Sequence, residues 1–471
     1  MSTSGAGAIS RPRHLASIGL QDNPGHDLPS FAQYLNKVFH FRRAAGSLSD
    51  ARQDPEISPQ SVFLAVFHSF VFRRTSFQQL EADLADPHLQ RYLGVARAFR
   101  DDVLRYSLCS FALDPLERLL VDVNRRLKRN KAFDQGRVQG RIVAALDGIE
   151  VLASYSRCCE ACLQRRVTAN DGDGNPVERI QYYHRAVGCQ IVSSPVKPLL
   201  AVEWLRPGEG EAAAALRLLE RLPELYGSRF FDILLLDSLY PQTPVLELAA
   251  RIGWDLVIAL KQENRDLFQS AMRLFQSRPA DLCFDDQRPG RRAGIELWDT
   301  EGLPFTQDHP QPVRALRAVE RVTQNHYRRG RLNPETTSHQ WLWITTLPAT
   351  VFPPQQVWSL GHARWKNENN GWNDLTQNWA MKHGFLHACR HRPKTASASG
   401  SPQPVENRGL AAVTLILCLA FALFSAFAIL HSKLHRLYRP ALIEIAQQLY
   451  RSLWRFQPPA RAPTDKPLPP R

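Results

Sequence analysis

The chain has 471 residues, 44% of them hydrophobic, which suits a globular protein of two to four structural units with a real buried core. Its 59 Lys and Arg outnumber 45 Asp and Glu, for a formal charge of +14. That balance sets cationic partners aside and puts polyanions first: DNA, RNA or an acidic membrane surface. Arg dominates the basic residues, which favours bidentate phosphate and guanine contacts, although the mutational bias of a high-GC genome gives the same composition. No charged-then-apolar leader opens the chain, so a reducing cytoplasm is the expected setting. Clustered cysteines there read as metal ligands or bystanders before disulfides.

Residues 1–30 are expected to be disordered, and 31–135 to form a helical domain. Val62, Phe63, Ala65, Val66, Phe67, Phe70 and Val71 make a broad apolar stripe, with Leu80, Leu84, Leu89 and Leu93 in shorter amphipathic pieces. Ser58, ahead of Pro59, and Ser76, three residues before Gln79, read as helix N-caps. The unit closes on a basic run, Arg125, Arg126, Lys128, Arg129 and Lys131, which suits either DNA contact or a solvated helix face.

The pattern changes at Gly140. Residues 141–146 (RIVAAL) read as a buried strand that ends in an Asp147-Gly148 turn. Strands are expected at 182–192, 199–204, 231–236 and 256–260, with a helix at 212–222 and another closing at 249–253. Strand and helix alternation makes 136–260 the first part of an α/β core. Residues 261–339 read as a β-rich insertion. Residues 340–392 resume the core with a strand at 341–346 and a helix from 355 to 379. A linker (393–405), C-terminal helices (406–456) and a disordered tail (457–471) complete the order.

Asp147 and Asp237 each end an apolar strand, where a carboxylate must be solvated, hydrogen-bonded or bound to a cation. Ligands of open α/β sheets collect at that edge, and two acids there would repel unless a cation lies between them. Taken singly, Asp147 also suits a turn and Asp237 a helix cap. Glu368, in the helix after the last strand, is the natural third carboxylate.

These residues resemble the DDE transposases of bacterial insertion sequences. The matching features are the strand ending in Asp147-Gly148, Asp237 with Tyr240 in an Asp-x2-Tyr pattern, and Arg364 with Glu368 in the Arg-x3-Glu part of the signature Tyr-x2-Arg-x3-Glu-x6-Lys. The signature's Tyr position holds Gly361 and its Lys position Leu375, with Lys366 and Lys382 as nearby substitutes. The resemblance covers about residues 45–390. It implies an α/β fold: a ribonuclease-H-like catalytic core with a β-rich insertion, an N-terminal helical domain and C-terminal helices. It implies two Mg²⁺ ions on Asp147, Asp237 and Glu368, DNA as substrate, and a homodimer that pairs two transposon ends. DNA-contact candidates are Arg364, Tyr240, Arg125, Arg126, Lys128 and Arg129. Trp298 could stack on a flipped base or fill the core of the insertion.

Three features stand outside that resemblance. Cys159, Cys162, His184 and Cys189 are candidate ligands for a structural Zn²⁺, with Cys158 adjacent. His383 and His387, with His391 nearby, have helical spacing that suits metal, phosphate or a basic helix end. Residues 410–430 carry no charge over 21 residues, enough to cross a bilayer as a single pass or to pack as a buried helix against the sheet.

Overall fold

The computed structural model describes residues 27–455 except 171, 173, 262–264, 277, 289–290, 307–308, 329–330, 368–371, 384, 388–406 and 432–440. Helices α1 (Leu28–Phe39), α2 (Phe41–Ala45), α3 (Pro59–Val71), α4 (Phe77–Leu84), α5 (Pro87–Leu93), α6 (Asp101–Cys109) and α7 (Leu113–Arg129) come first. The capping chemistry is as the sequence indicates: Ser58 accepts the Ser61 amide and Ser76 accepts the Gln79 amide. Each satisfies an amide that the helix itself leaves unpaired.

The α/β part follows: β1 (Val143–Ser154), β2 (Leu163–Asn170), β3 (Pro176–Ile191), β4 (Leu199–Trp204), α8 (Glu211–Tyr226), β5 (Ile233–Leu236), α9 (Thr243–Ile252) and β6 (Asp255–Ala259). Then come α10 (Arg265–Phe275) and four long strands, β7 (Leu282–Arg288), β8 (Arg291–Thr306), β9 (His309–Arg328) and β10 (Arg331–Thr345). Helices α11 (Pro354–Asn367), α12 (Asn373–Gln377), α13 (Arg408–Ala426) and α14 (Leu442–Arg451) close the order. One mixed sheet runs β2-β3-β1-β5-β6-β10-β9-β8-β7, with β4 added to β3. Strand β1 is antiparallel to β3 and parallel to β5, and β5 is parallel to β6.

Two expectations change. Asp147-Gly148 is no turn: β1 continues through it, because β3 pairs along the whole stretch, Asp147 with Gly188 and Gly148 with Val187. The β-rich stretch 261–339 opens with a helix, amphipathic α10, whose Ala271 and Phe275 are buried. The strand at 341–346 is not separate from the insertion. It is the inner end of β10, which pairs with β9 along its whole length, while Trp343, Ile344 and Thr345 also pair with β6 on the other side.

The uncharged stretch at 410–430 becomes α13 and the turn after it. Rather than lying on the sheet, α13 packs against α3, α6 and α7. Nearly every residue from Gly409 to Ala426 is buried. Phe31 meets Phe427 at 5.1 Å, and Trp379 meets Phe421 at 5.4 Å. That packing fits the buried-helix alternative for this stretch, with the N-terminal bundle, not the sheet, as its surroundings.

Candidate active site

The pairing of β1 with β5 runs Val143 to Ile233, Ala144 to Leu234 and Ala145 to Leu235. Carried two residues on, that register sets Asp147 level with Asp237. Consecutive residues of a strand point to opposite faces, so the register, more than the sequence spacing, brings these two acids together. Each carboxylate accepts the next residue's backbone amide, Gly148 N–H at 2.8 Å and Ser238 N–H at 2.6 Å.

A single guanidinium lies between them. Arg364, in the last turn of α11 and itself buried, reaches Asp147 Oδ2 at 3.5 Å and Asp237 Oδ1 at 3.8 Å. Helix α11 is anchored by the insertion: the buried Glu320 of β9 accepts from Trp358 Nε1 at 2.6 Å and meets His362 Nε2 at 2.6 Å. Burial would push the Glu320 carboxyl up, but these bonds and the charges of His362 and Arg291 hold it below the usual carboxylate range. Lys261, just past β6, stands 3.8 Å from Asp237 Oδ1. Sequence reading passed over Lys261, although it follows a buried strand at the same edge.

Behind this face lies a second polar group. Gly148 leaves room for Glu211, and a Cβ there would come 2.3 Å from Glu211 Oε2. Glu211 is paired with Arg185 and accepts the Tyr240 hydroxyl at 2.6 Å. Tyr240 is buried and donates its hydroxyl to this wall; burial and the Glu211 charge push its pKa up.

The other DNA-contact candidates are placed as follows. Trp298 is buried, donates Nε1 to the Arg278 carbonyl at 3.0 Å and carries Arg317 over its ring at 4.6 Å, so it serves the insertion's core. Arg126 holds the Val38 carbonyl, Arg125 that of Leu225, and Lys128 that of Arg229. These three tie α7 to its neighbours, whereas Arg129 is exposed. Glu368 and His391 lie outside the described residues, and so does the 393–405 linker. Gly361, at the signature's Tyr position, abuts Trp343, and Leu375, at its Lys position, is fully buried.

The cysteines gather differently from expectation. Cys159 Sγ and Cys162 Sγ are 3.6 Å apart, and His184 Nε2 lies 3.3 and 3.4 Å from them. The fourth group is His387, with Nε2 3.1 Å from Cys162 Sγ. Cys189 is excluded because it stands five residues along β3 from His184, an odd number, and so faces away into the core. The described residues between Met381 and His387 are turns, bends or irregular rather than helix, so His383 and His387 share no helical face. Burial pushes the Cys162 thiol up to about 12 and the His184 imidazole down to about 4.

No protein-family model matches the chain, and no curated protein matches it. Among solved structures, the chain is similar to the piggyBac transposase in its synaptic complex with hairpin DNA. That match has a TM-score of 0.37 and 12% identity, over 92% of this chain and 83% of that one. At that score the likeness carries no weight for function.

Proposed function

We propose that the chain is a DDE transposase that cuts and joins DNA through Asp147, Asp237 and Glu368. The observation that carries this reading is the pair of acids, one on β1 and one just past the adjacent parallel β5, with one cation, Arg364, between them. The order β4-β3-β1-β5-β6, antiparallel up to β1 and parallel beyond, supports a ribonuclease-H-like core. Support for Glu368 comes from its flanks. It falls midway in sequence between Arg364 and Trp372, and Trp372 packs where a Cβ on Gly188, the rung partner of Asp147, would be 2.4 Å away.

The donor set fits Mg²⁺: hard carboxylate oxygens, partly exposed, at a point that already gathers positive charge. When bound, the metal would supply charge neutralisation for an attacking and a leaving oxygen. The chain's own part is positional. Backbone amides fix the two carboxylates, Glu320 fixes α11, and Arg364 and Lys261 are placed to take up a DNA phosphate once metal relieves them of the acids. Arg129 and the net charge of +14 favour DNA as partner, bound by a homodimer that pairs two ends.

The test is excision of a marked element, bounded by the DNA flanking this gene, in cells that express wild type, Asp147→Asn or Asp237→Asn. Excision by wild type that falls about a hundred- to a thousandfold in both variants is expected. Equal excision by wild type and variants overturns the reading. No excision by any of them favours a second reading, a catalytically decayed DNA-binding relative. That alternative draws on the core packing of Gly361 and Leu375, which leaves no place for the signature's Tyr or Lys.

A further inference from the structure

The geometry points to a structural zinc site at Cys159, Cys162, His184 and His387, separate from the carboxylates and independent of the reading above. Ligand atoms on a tetrahedron of ordinary Zn–S and Zn–N bonds stand about 3.3–3.8 Å apart. The four contacts here run from 3.1 to 3.6 Å, and all four atoms lie within 4.8 Å of one another. The sulfurs are free thiols, so no disulfide accounts for their approach.

The surroundings suit a metal-bound thiolate pair. The Cys159 amide donates to Cys162 Sγ at 3.2 Å, and the Cys162 amide returns to the Cys159 carbonyl at 3.1 Å, closing a tight knuckle. Asn407 donates Nδ2 to Cys159 Sγ at 3.7 Å and to the His387 carbonyl. Such donors stabilise thiolate charge and orient ligands. Among the described residues His387 Nδ1 has no hydrogen-bond partner, so the contact at Nε2 is what orients the ring. Binding would release one proton from each cysteine, and Zn²⁺ with two thiolates is neutral overall, which suits a group this buried. Four protein ligands leave no open position, so the role is structural.

The site joins distant pieces of chain. His184 pairs with Leu152, five residues and about 16 Å along β1 from Asp147. Cys159 and Cys162 lie in the β1–β2 connection, His387 follows α12, and Asn407 caps α13. Zinc would therefore clasp the far end of the β1–β3 pair to the start of the helix that fills the N-terminal bundle.

The experiment is metal analysis of the full chain purified with zinc in the medium, with cobalt substitution as a second reading. One zinc per chain is expected, retained in Cys189→Ser. In His387→Ala, zinc affinity should fall by more than the roughly 10–100-fold typical of losing an outer-shell partner. The cobalt-loaded protein should give the visible spectrum of a tetrahedral two-thiolate site, and His387→Cys should shift it to that of three thiolates. Folded wild type without zinc, loss of zinc in Cys189→Ser with His387→Ala unaffected, or an unshifted cobalt spectrum in His387→Cys would each overturn the proposal.

Discussion

Gly361 of α11 lies directly against the Trp343 indole of β10: a Cβ on Gly361 would come 2.5 Å from both Nε1 and Cε2 of that ring. The close approach lets α11 settle on the sheet far enough for Arg364 to reach two carboxylates. Gly361→Tyr, which writes the signature residue back in, should therefore harm the protein. Overpacking of this kind costs about 1–3 kcal/mol. Denaturant unfolding of Gly361→Ala and Gly361→Tyr checks it, with the larger loss expected for Tyr; a neutral Tyr substitution would show that the contact yields freely.

Removing Arg364 leaves two neighbouring carboxylates without the cation between them. Arg364→Gln should lower stability in EDTA by about 1–3 kcal/mol, the cost of stranding a partly buried charge. Mg²⁺ should restore more of that loss in the variant than it adds to wild type, because the metal replaces the missing charge. Thermal melts in EDTA and in Mg²⁺ supply the comparison. Equal metal responses in the two proteins would remove the case for a cation site between Asp147 and Asp237.

His68 provides a pH handle remote from both sites. It is buried in α3 between the Leu64 carbonyl and the Tyr92 hydroxyl, each 2.8 Å from a ring nitrogen, and burial lowers its pKa from 6.5 to about 4. Above about pH 6.5 folded and unfolded chains are both neutral here. Between about 6.5 and 4 only the unfolded chain takes the proton, so stability falls as pH falls, by about 3 kcal/mol in all. The slope of unfolding free energy against pH should be shallower in His68→Gln than in wild type across that window.

The burial of α13 predicts that the protein is extracted without detergent. It also predicts that Ala420→Asp, a charge placed at a fully buried position, costs about 3–5 kcal/mol and exposes α3, α6 and α7 to protease. Recovery only in detergent would return the helix to a bilayer.

What sequence could show here followed the range of its signals. Apolar runs located β5 and β6, and capping residues located the starts of α3 and α4, because both are local properties. Asp147-Gly148 misled because a dipeptide that favours turns was overruled by pairing with β3, a contact some 40 residues away. Helix α10 was hidden by the charged residues around it, although its apolar positions keep helical spacing. His387 could not be assigned from spacing, since 203 residues separate it from His184, yet Cys189 could have been rejected from strand alternation alone. The carboxylate pair was legible as two strand ends, but its level register and the guanidinium between the acids belong to the tertiary structure.

The placement of α13 has a consequence for how the protein is made. Roughly 280 residues separate the end of α7 from the start of the helix that fills its bundle. At about 5–20 residues per second, the ribosome takes on the order of 15–60 s to supply that helix. For that interval the nascent amino-terminal segment exposes the apolar surface that α13 later covers. A message that terminates before codon 408 would yield a product with no centre to fold around, so premature termination should produce degraded chains and no truncated competitor for the intact protein.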